Sequence, residues 1–556
     1  MDVLVVVGDQ PAPDRLVVRS RRRIRIPAGP VAGGTIADLR AHIPRSVGVW
    51  GGDAGVGGGQ APALVVARHL HQAGLPVTLF SDEPVEVEAG IEVDRVTDTG
   101  PAMEAADSLL DLIGNTPMVR MDRVGRDLSC HLLAKLEYLN PGGSVKDRPA
   151  AAMILAAEGD GSLQPGGTIV EPTSGNTGVG LAMIAARRGY RCIFTMPDKI
   201  AEEKRQLLRA YGAEVVICPT VAHDHPDSYT EVAARLAAST PGAYLPNQYE
   251  NPNNRAAHSA TTGPEIWRQT AGRITHLVTT IGTGGTITGA GQYLKQVNPD
   301  IQIVGADPEG SVYSGGSGRP YLVEGIGHDY WPGNYDRTIA DEIVEVSDRD
   351  SFLTARRVTR EEGILAGGSC GTAVWAALEV GRRLGRDAVV VVLFADSGRG
   401  YLSKVYDDGW MADHGFLRAG GDTIEAVLAH KGGGIPPLVH IHPDETVRAA
   451  IAVLREYGVS QMPVVRAEPP LRLAEVVGTV SDRALLERVL ADPAAMERPV
   501  ADTMGGPLPM IGSGEPVDAA AARLGEASAV LVLDGGHPTG IVTRSDLLDY
   551  LAGIDR

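Results

Sequence analysis

An α/β architecture is predicted for the middle of the chain, and two observations predict it. From about Ala105 to Met411, apolar runs of strand length alternate with Ala/Leu/Arg-rich helical patterns, the texture of a largely parallel sheet with crossover helices. Glycine-rich loops recur where a strand pattern hands over to a helix pattern. A third observation sets the C-terminal part aside: beyond about Leu438 the sequence repeats itself.

Residues 1–100 read as a small N-terminal α/β extension of Val-rich runs and Gly/Pro-rich loops. Within it, "SVGVWGGDAGVGGGQAPALVVARHLHQAGLPVTLFSDE" reads strand, loop, helix, strand, ending on Asp82 and Glu83. Its glycine spacing misses the dinucleotide pattern, so a structural or partner-docking role is expected. The basic cluster Arg21-Arg22-Arg23-Ile24-Arg25 reads as a strand with one solvated face. In the central domain, 105–411, "AEEKRQLLRAYG" predicts a helix from Ala201 to a C-cap at Gly212. Residues 412–437, with "HKGGGIPP" from His430 to Pro437, read as a linker. The segment 438–556 holds two copies, about 438–495 and 498–553, each an acidic cap, an amphipathic helix, a strand, a turn, a strand and a helix. Such units are expected to pack together, because one alone cannot bury its apolar face.

Composition excludes several function classes. At 556 residues the chain needs more than one core, and 43% hydrophobic content fits a globular protein. A net charge of -18 argues against nucleic acid or an anionic membrane as partner. The four cysteines, Cys130, Cys192, Cys218 and Cys370, form no CxxC pair and no disulfide framework. The start "MDVLVVVGD" lacks the basic flank of a signal peptide, and no apolar run approaches a spanning length, so a cytoplasmic location is expected. His223 and His225 of "HDH" lack further ligands nearby in sequence, and no metal site is expected.

Four loops carry the chemistry. In "YLNPGGSVKDRPA", Pro141, Gly142 and Gly143 read as a turn and Ser144 as a cap, which puts Lys146 in a first helical turn against the helix dipole. In "EPTSGNTGVGLA", Thr173, Ser174, Gly175, Asn176 and Thr177 open a helix whose free N–H groups suit a carboxylate. In "TTIGTGGTITGAG", Gly282, Gly284 and Gly285 allow a nest of N–H donors, and Thr283 and Thr286 add hydroxyls, which suits a phosphate. In "GILAGGSCGTAVWAALEV", Ser369 stands at the mouth of another helix. Each loop alone also reads as a capped helix start or a plain turn. Together, an amine, an anion site, a phosphate nest and a lone hydroxyl fit a phosphorylated aldehyde held as a Schiff base.

"NPGGSVKDR", "EPTSGNTGVGLA", "GTGGTITG", "EGIGHDYWP" and "GGSCGTAVWAAL" together resemble the pyridoxal-phosphate enzymes of the cystathionine β-synthase and cysteine synthase family, in that family's order. The resemblance implies a fold-type II catalytic domain, like the tryptophan synthase β chain. It implies that Lys146 carries the cofactor and moves the substrate's Cα proton, and that Asn176 contacts the ring hydroxyl oxygen. Gly282, Thr283, Gly284, Gly285 and Thr286 would bind the phosphate, and Ser369 would face the pyridine nitrogen. Thr173, Ser174, Gly175 and Thr177, with Gln248, would grip the substrate carboxylate. A serine opposite the pyridine nitrogen limits carbanion character and favours loss of a β-substituent.

The implied reaction is β-replacement on serine or an O-activated serine by a thiol. "VEGIG", with Glu324 before Gly325, resembles the branch that joins serine to homocysteine, although His328 stands where animal enzymes have tyrosine. Cysteine synthesis from O-acetylserine or O-phosphoserine and sulfide is the alternative; a nucleotide-sensing scaffold with a decayed catalytic domain is the alternative of another class. The C-terminal copies resemble the paired regulatory repeats named after cystathionine β-synthase, which implies an adenosyl ligand such as S-adenosylmethionine or an adenine nucleotide. "GIVTRSD" keeps Thr543 and Asp546 for its ribose, whereas Ala484 fills the acid's place in the first copy, so one site is expected. No haem is expected, because no cysteine precedes Cys130. A homodimer or higher homo-oligomer is expected from the same resemblance.

Overall fold

The computed structural model describes residues 105–553, except 174, 199, 201, 220–224 and 432–435, and six strands within the first 104 residues. The chain divides into two compact units, Met1–Ala105 and Ala106–Arg556. In the first, strands β1 (Asp2–Val6), β2 (Arg15–Val18), β3 (Arg23–Ile24), β4 (Ser46–Trp50), β5 (Val77–Ser81) and β6 (Glu92–Arg95) form one sheet in the order β3-β2-β1-β4-β5-β6. β1, β4, β5 and β6 run parallel, and β2 and β3 join antiparallel at the edge. The expected strand at Arg23–Ile24 is present; Asp82 and Glu83 lie outside the described residues.

The second unit opens with two sheets. The larger one holds β7 (Met118–Arg120), β8 (His131–Leu136), β13 (His276–Thr280), β14 (Gln302–Pro308), β15 (Glu342–Val346) and β16 (Val389–Phe394), in the order β15-β14-β13-β16-β8-β7. Only β7 is antiparallel to its neighbour. The smaller sheet is all parallel, with β9 (Thr168–Pro172), β10 (Arg191–Pro197), β11 (Glu214–Cys218) and β12 (Ala243–Tyr244) in the order β11-β10-β9-β12. β16, "VVVVLF", is buried at all six residues, as a central parallel strand covered on both faces must be. The Gly368–Gly381 helix packs beside it and is itself almost wholly buried, which is why its sequence is Ala- and Val-rich all round.

Loops at the carboxyl ends of parallel strands are where open α/β sheets place their sites. Here the loop after β9 leads into the Asn176–Arg188 helix, and the loop after β13 into the Gly285–Val297 helix. The Asp147–Asp160 helix begins one residue after Lys146, not before it. Ser144 is not its cap: its Oγ accepts the Lys146 N–H at 3.2 Å. The helix predicted from Ala201 spans Glu202–Ala210, and Gly212 follows in the left-handed region at φ +87°.

Both C-terminal copies contain the expected run of helix, two strands and helix, and the second adds one short strand ahead of its first helix. The first pairs β17 (Gln461–Val465) with β18 (Val476–Ser481), and the second pairs β19 (Met510–Gly512), β20 (Ala529–Asp534) and β21 (His537–Thr543). The linker reading of 412–437 needs correction. That segment contains the Ile424–His430 helix, whose Ile424 and Val427 pack with Ile511, Val517, Val530 and Val532 in the core of the second copy. Charged pairs fasten the module to the catalytic domain: Arg319 to Glu475 at 2.6 Å, and Arg472 to Glu309 at 2.7 Å.

Candidate active site

Lys146 lines a cavity of about 350 Å³ together with Thr280, Gly282, Thr283, Gly284 and Thr286. Burial pushes its amine below the usual lysine range, and the nearby Asp396 opposes that shift only in part. The amine is thereby more available as an uncharged nucleophile. The floor of the loop after β13 is closed by backbone approach. Gly284 adopts φ +81°, and a Cβ there would meet Tyr335 Cα at 2.6 Å and Tyr335 N at 2.8 Å. A Cβ on Gly285 would collide with Asn254, and one on Gly282 would stand 2.8 Å from the Gly325 carbonyl. No other residue type fits this turn.

Side chains behind the nest hold it. Asn254 Nδ2 donates to Thr283 Oγ1 at 3.0 Å and to the Gln248 carbonyl at 2.7 Å. Tyr313 donates its hydroxyl to the Gly282 carbonyl at 2.7 Å. His258 Nε2 lies 3.1 Å from Thr286 Oγ1 and its Nδ1 2.9 Å from Thr262 Oγ1. Burial, aided by the Arg148 and Lys146 charges, keeps that imidazole well below its usual pKa and therefore neutral.

Thr177 Oγ1 donates to Gln248 Oε1 at 2.6 Å, which joins the helix start to the "PNQYENPNN" segment. The backbone N–H groups of Asn247 and Gln248 are held by the buried Glu171 carboxylate at 2.9 and 3.1 Å. Thr173, Gly175, Asn176 and Thr177 thus stand at one helix N-terminus; Ser174 lies outside the described residues. Asn176 and Ser369 are not among the residues lining the 350 Å³ cavity. Ser369 is buried at the second position of its helix, and Asn176 Nδ2 donates to Asp396 Oδ2 at 2.9 Å.

Asp396, two residues past β16, was not singled out from the sequence. Its backbone bridges Ser144, its Oδ2 also accepts the Tyr401 hydroxyl at 2.8 Å, and its buried Oδ1 has no partner. Burial raises its pKa against the pull of Asn176, Tyr401 and Lys146. The signal was an acid at the carboxyl end of an all-apolar strand, the position where sites gather.

Glu324 and Gly325 face different spaces. Gly325 and Ile326 line the main cavity, whereas Glu324 lines a second one of about 220 Å³ with Leu322, Phe352, Lys404 and Trp410. Glu324 pairs with Lys204 and, at 2.6 Å, with Lys404. Burial alone would raise its pKa; the two ammonium groups hold it below the usual range. His328 lines neither space: its ring packs edge-on against Tyr249 and Tyr330, with centroids 5.2 and 3.9 Å away.

In the C-terminal module, Thr543 and Asp546 meet as a capping box at the Arg544–Ala552 helix. Thr543 N and Oγ1 both donate to Asp546 Oδ2, at 2.8 and 2.6 Å, and Lys431 Nζ reaches the same oxygen at 3.1 Å. No helix among the described residues is long and apolar enough to cross a membrane.

The chain is similar to known proteins along most of its length. Residues 109–396 match the family described as pyridoxal-phosphate dependent enzyme, and residues 434–491 and 500–553 each match the CBS domain. Cystathionine beta-synthase of Dictyostelium discoideum is 37% identical over 458 residues, covering 80% of this chain and 92% of that protein. The enzyme of the same name from Oryctolagus cuniculus is 42% identical over 396 residues, 69% of this chain and 71% of that one. Among solved structures, the crystal structure of O-ureido-L-serine synthase superposes with a TM-score of 0.52 at 38% identity, covering 55% of this chain and 99% of that one. A lysine in a glycine-lined cavity, a helix N-terminus beside it and tandem repeats behind them therefore have one common source: the chain belongs to the cystathionine β-synthase family of pyridoxal-phosphate dependent enzymes, which carry out β-replacement.

Proposed function

We propose that this enzyme condenses serine with homocysteine to cystathionine and water, with Lys146 as its catalytic residue. The observation that carries the reading is the placement of a buried, pKa-lowered lysine across one cavity from the Gly282–Thr286 nest. The site fits pyridoxal phosphate in its chemistry: a lysine shares the cavity with a glycine nest whose backbone leaves no room for any Cβ, and the buried Asp396, whose charge acts on Lys146, keeps one orphan oxygen. Bound there, the cofactor draws electrons from the amino acid's Cα so that its β-substituent can leave.

In this reading, the backbone of Gly282, Gly284 and Gly285 and the hydroxyls of Thr283 and Thr286 hold the phosphate, and neutral His258 keeps Thr286 oriented. Asn176 and Ser369, although neither lines that cavity, would hold the ring through its hydroxyl oxygen and its pyridine nitrogen. The N–H groups at the start of the Asn176–Arg188 helix, with Thr173, Ser174, Gly175, Thr177 and Gln248, take the serine carboxylate. Lys146 Nζ removes the Cα proton and later returns it. The second space is lined by the charged Glu324 and Lys404 and the apolar Phe352 and Trp410, a mixture whose chemistry matches an amino acid with a short sulfur-bearing chain. Glu324 of the second space directly precedes Gly325 and Ile326 of the first in the chain, which brings the two spaces close together.

The enzyme is proposed to act in the cytoplasm as a homo-oligomer and to take an adenosyl ligand at Thr543 and Asp546. The relatives' name favours homocysteine over sulfide as acceptor. Assaying serine plus homocysteine against O-acetylserine plus sulfide tests the reading. Cystathionine formation that vanishes in Lys146→Ala, together with the visible absorption of the covalently held cofactor, is expected. Turnover only with sulfide overturns it.

A further inference from the structure

We infer that His440, His442 and Glu468 form a binding site for one divalent transition-metal ion, of the zinc type, on the first C-terminal repeat. Their ligand atoms all lie within 4.8 Å of one another. His442 Nε2 stands 3.1 Å from Glu468 Oε1, and His440 Nε2 3.4 Å from Glu468 Oε2. A tetrahedral ion with bonds of ~2.1 Å sets its ligands ~3.4 Å apart, so small side-chain rotations complete the triad.

The backbone makes the convergence. Residue Ile441 pairs in parallel with Val464 of β17, with Val465 N donating to the Ile441 carbonyl at 2.9 Å. In an extended segment alternate residues share a face. Ile441 enters the core at 1% exposure, so His440 and His442 both point the other way. Glu468 comes from the other side, three residues past the end of β17.

Hydrogen bonding then fixes one ring for ligation. His440 Nδ1 lies 3.1 Å from the Leu438 carbonyl, which can only accept, so Nδ1 carries the proton. Nε2 of that ring is left facing Glu468 Oε2, the orientation in which both could ligate one ion. An imidazole whose second nitrogen is held by a backbone carbonyl is the usual support of a metal-binding histidine. Two imidazoles and one carboxylate with an open outer position select zinc-like ions over magnesium or calcium.

The fold of the repeat does not itself demand these residues. Ile511 pairs with Val532 in the second copy as Ile441 pairs with Val464 in the first, so Met510 and Gly512 occupy the places of His440 and His442. The same structural position is filled there with no ligand at all. The site also lies at the root of the segment that docks on the catalytic domain: Pro470 O accepts Arg319 Nη2 at 2.6 Å, and Arg472 meets Glu309. Bound metal would tie that segment to the His440–His442 strand.

The test is equilibrium dialysis of the chelator-stripped full chain against micromolar Zn2+, with metal content read for wild type, His440→Ala/His442→Ala and Glu468→Gln. The wild type is expected to hold one zinc per chain more than the double variant. Glu468→Gln should weaken binding at least about tenfold, and millimolar Mg2+ should not displace the ion. X-ray absorption of the zinc-loaded wild type should show two imidazoles and oxygen, a readout that needs no variant to fold. Equal zinc in wild type and double variant, displacement by Mg2+, or sulfur in the coordination shell overturns the assignment.

Discussion

Replacing Glu265 with Ala is expected to be among the most damaging single changes away from the cavity. Its carboxylate accepts Arg148 Nη1 at 2.8 Å and Nη2 at 2.7 Å, Lys135 Nζ at 2.7 Å and the Asn115 N–H at 2.9 Å. Arg148 is gripped on its other side by Glu137, at 2.6 and 2.8 Å. All four side chains are buried, and they balance two positive against two negative charges. Removing Glu265 leaves one buried positive charge without its partner, which costs about 3–5 kcal/mol. A second route gives the same order. Burial would raise the Glu265 pKa, but the Arg148 and Lys135 contacts bring it from 4.5 to about 2. A depression of that size corresponds to about 3 kcal/mol of folding stability, present above pH 4.5 and lost as the pH falls through 2.

The assay is urea unfolding of the cofactor-loaded chain, followed by the cofactor's absorbance. Glu497→Ala is the control, because its pair with Arg448 is exposed on both sides and contributes about 0–1 kcal/mol. If Glu265→Ala lowers the midpoint no further than Glu497→Ala, the buried network does not anchor the start of the lysine-bearing helix.

Three further outcomes follow from particular contacts. Thr177→Val deletes the 2.6 Å bond that orients Gln248; on the proposed reading, KM for serine should rise roughly tenfold with kcat nearly unchanged, as steady-state kinetics would show. Gly284→Ala forces a side chain against Tyr335 and should release the cofactor on dialysis, whereas Gly143→Ala, with φ +87° but open space around it, should cost only ~1–2 kcal/mol of backbone strain and keep it. Asp147, whose carboxyl is pushed by burial from 3.8 to about 7, binds a proton in the folded chain that the unfolded chain has released between those values. Stability should therefore fall as pH rises from about 4 to about 7. Asp147→Asn should flatten that slope, and parallel denaturation curves across the range would refute the assignment.

What the sequence made legible was local. Lys146, the Gly282–Thr286 turn and the start of the Asn176–Arg188 helix announce themselves because glycine, threonine and a lysine within a few residues leave little else for the backbone to do. Asp396 did not, because its meaning comes from Asn176, 220 residues away in sequence, and from Tyr401. Lys135 and Glu137 escaped for a related reason. In "HLLAKLEYL" they look like the solvated face of an edge strand, and only Arg148 and Glu265, brought in by two helices, make that face an interior. The Ile424–His430 helix was hidden by its length of seven residues and by the glycines that flank it.

The two C-terminal copies separate what a helix needs from what a ligand needs. Ser481 starts the Asp482–Ala491 helix by accepting the Ala484 N–H at 3.2 Å, with no acid at the third position. Thr543 starts the matching helix with the acid Asp546 in that place. Helix initiation therefore proceeds with or without the carboxylate, and a cap alone is no reason to bury one at 5% exposure. Lys431, reaching Asp546 Oδ2 and the Ile541 carbonyl, offsets the charge. Through that carboxylate, Lys431, the residue after the Ile424–His430 helix, is joined to the cap of the last helix.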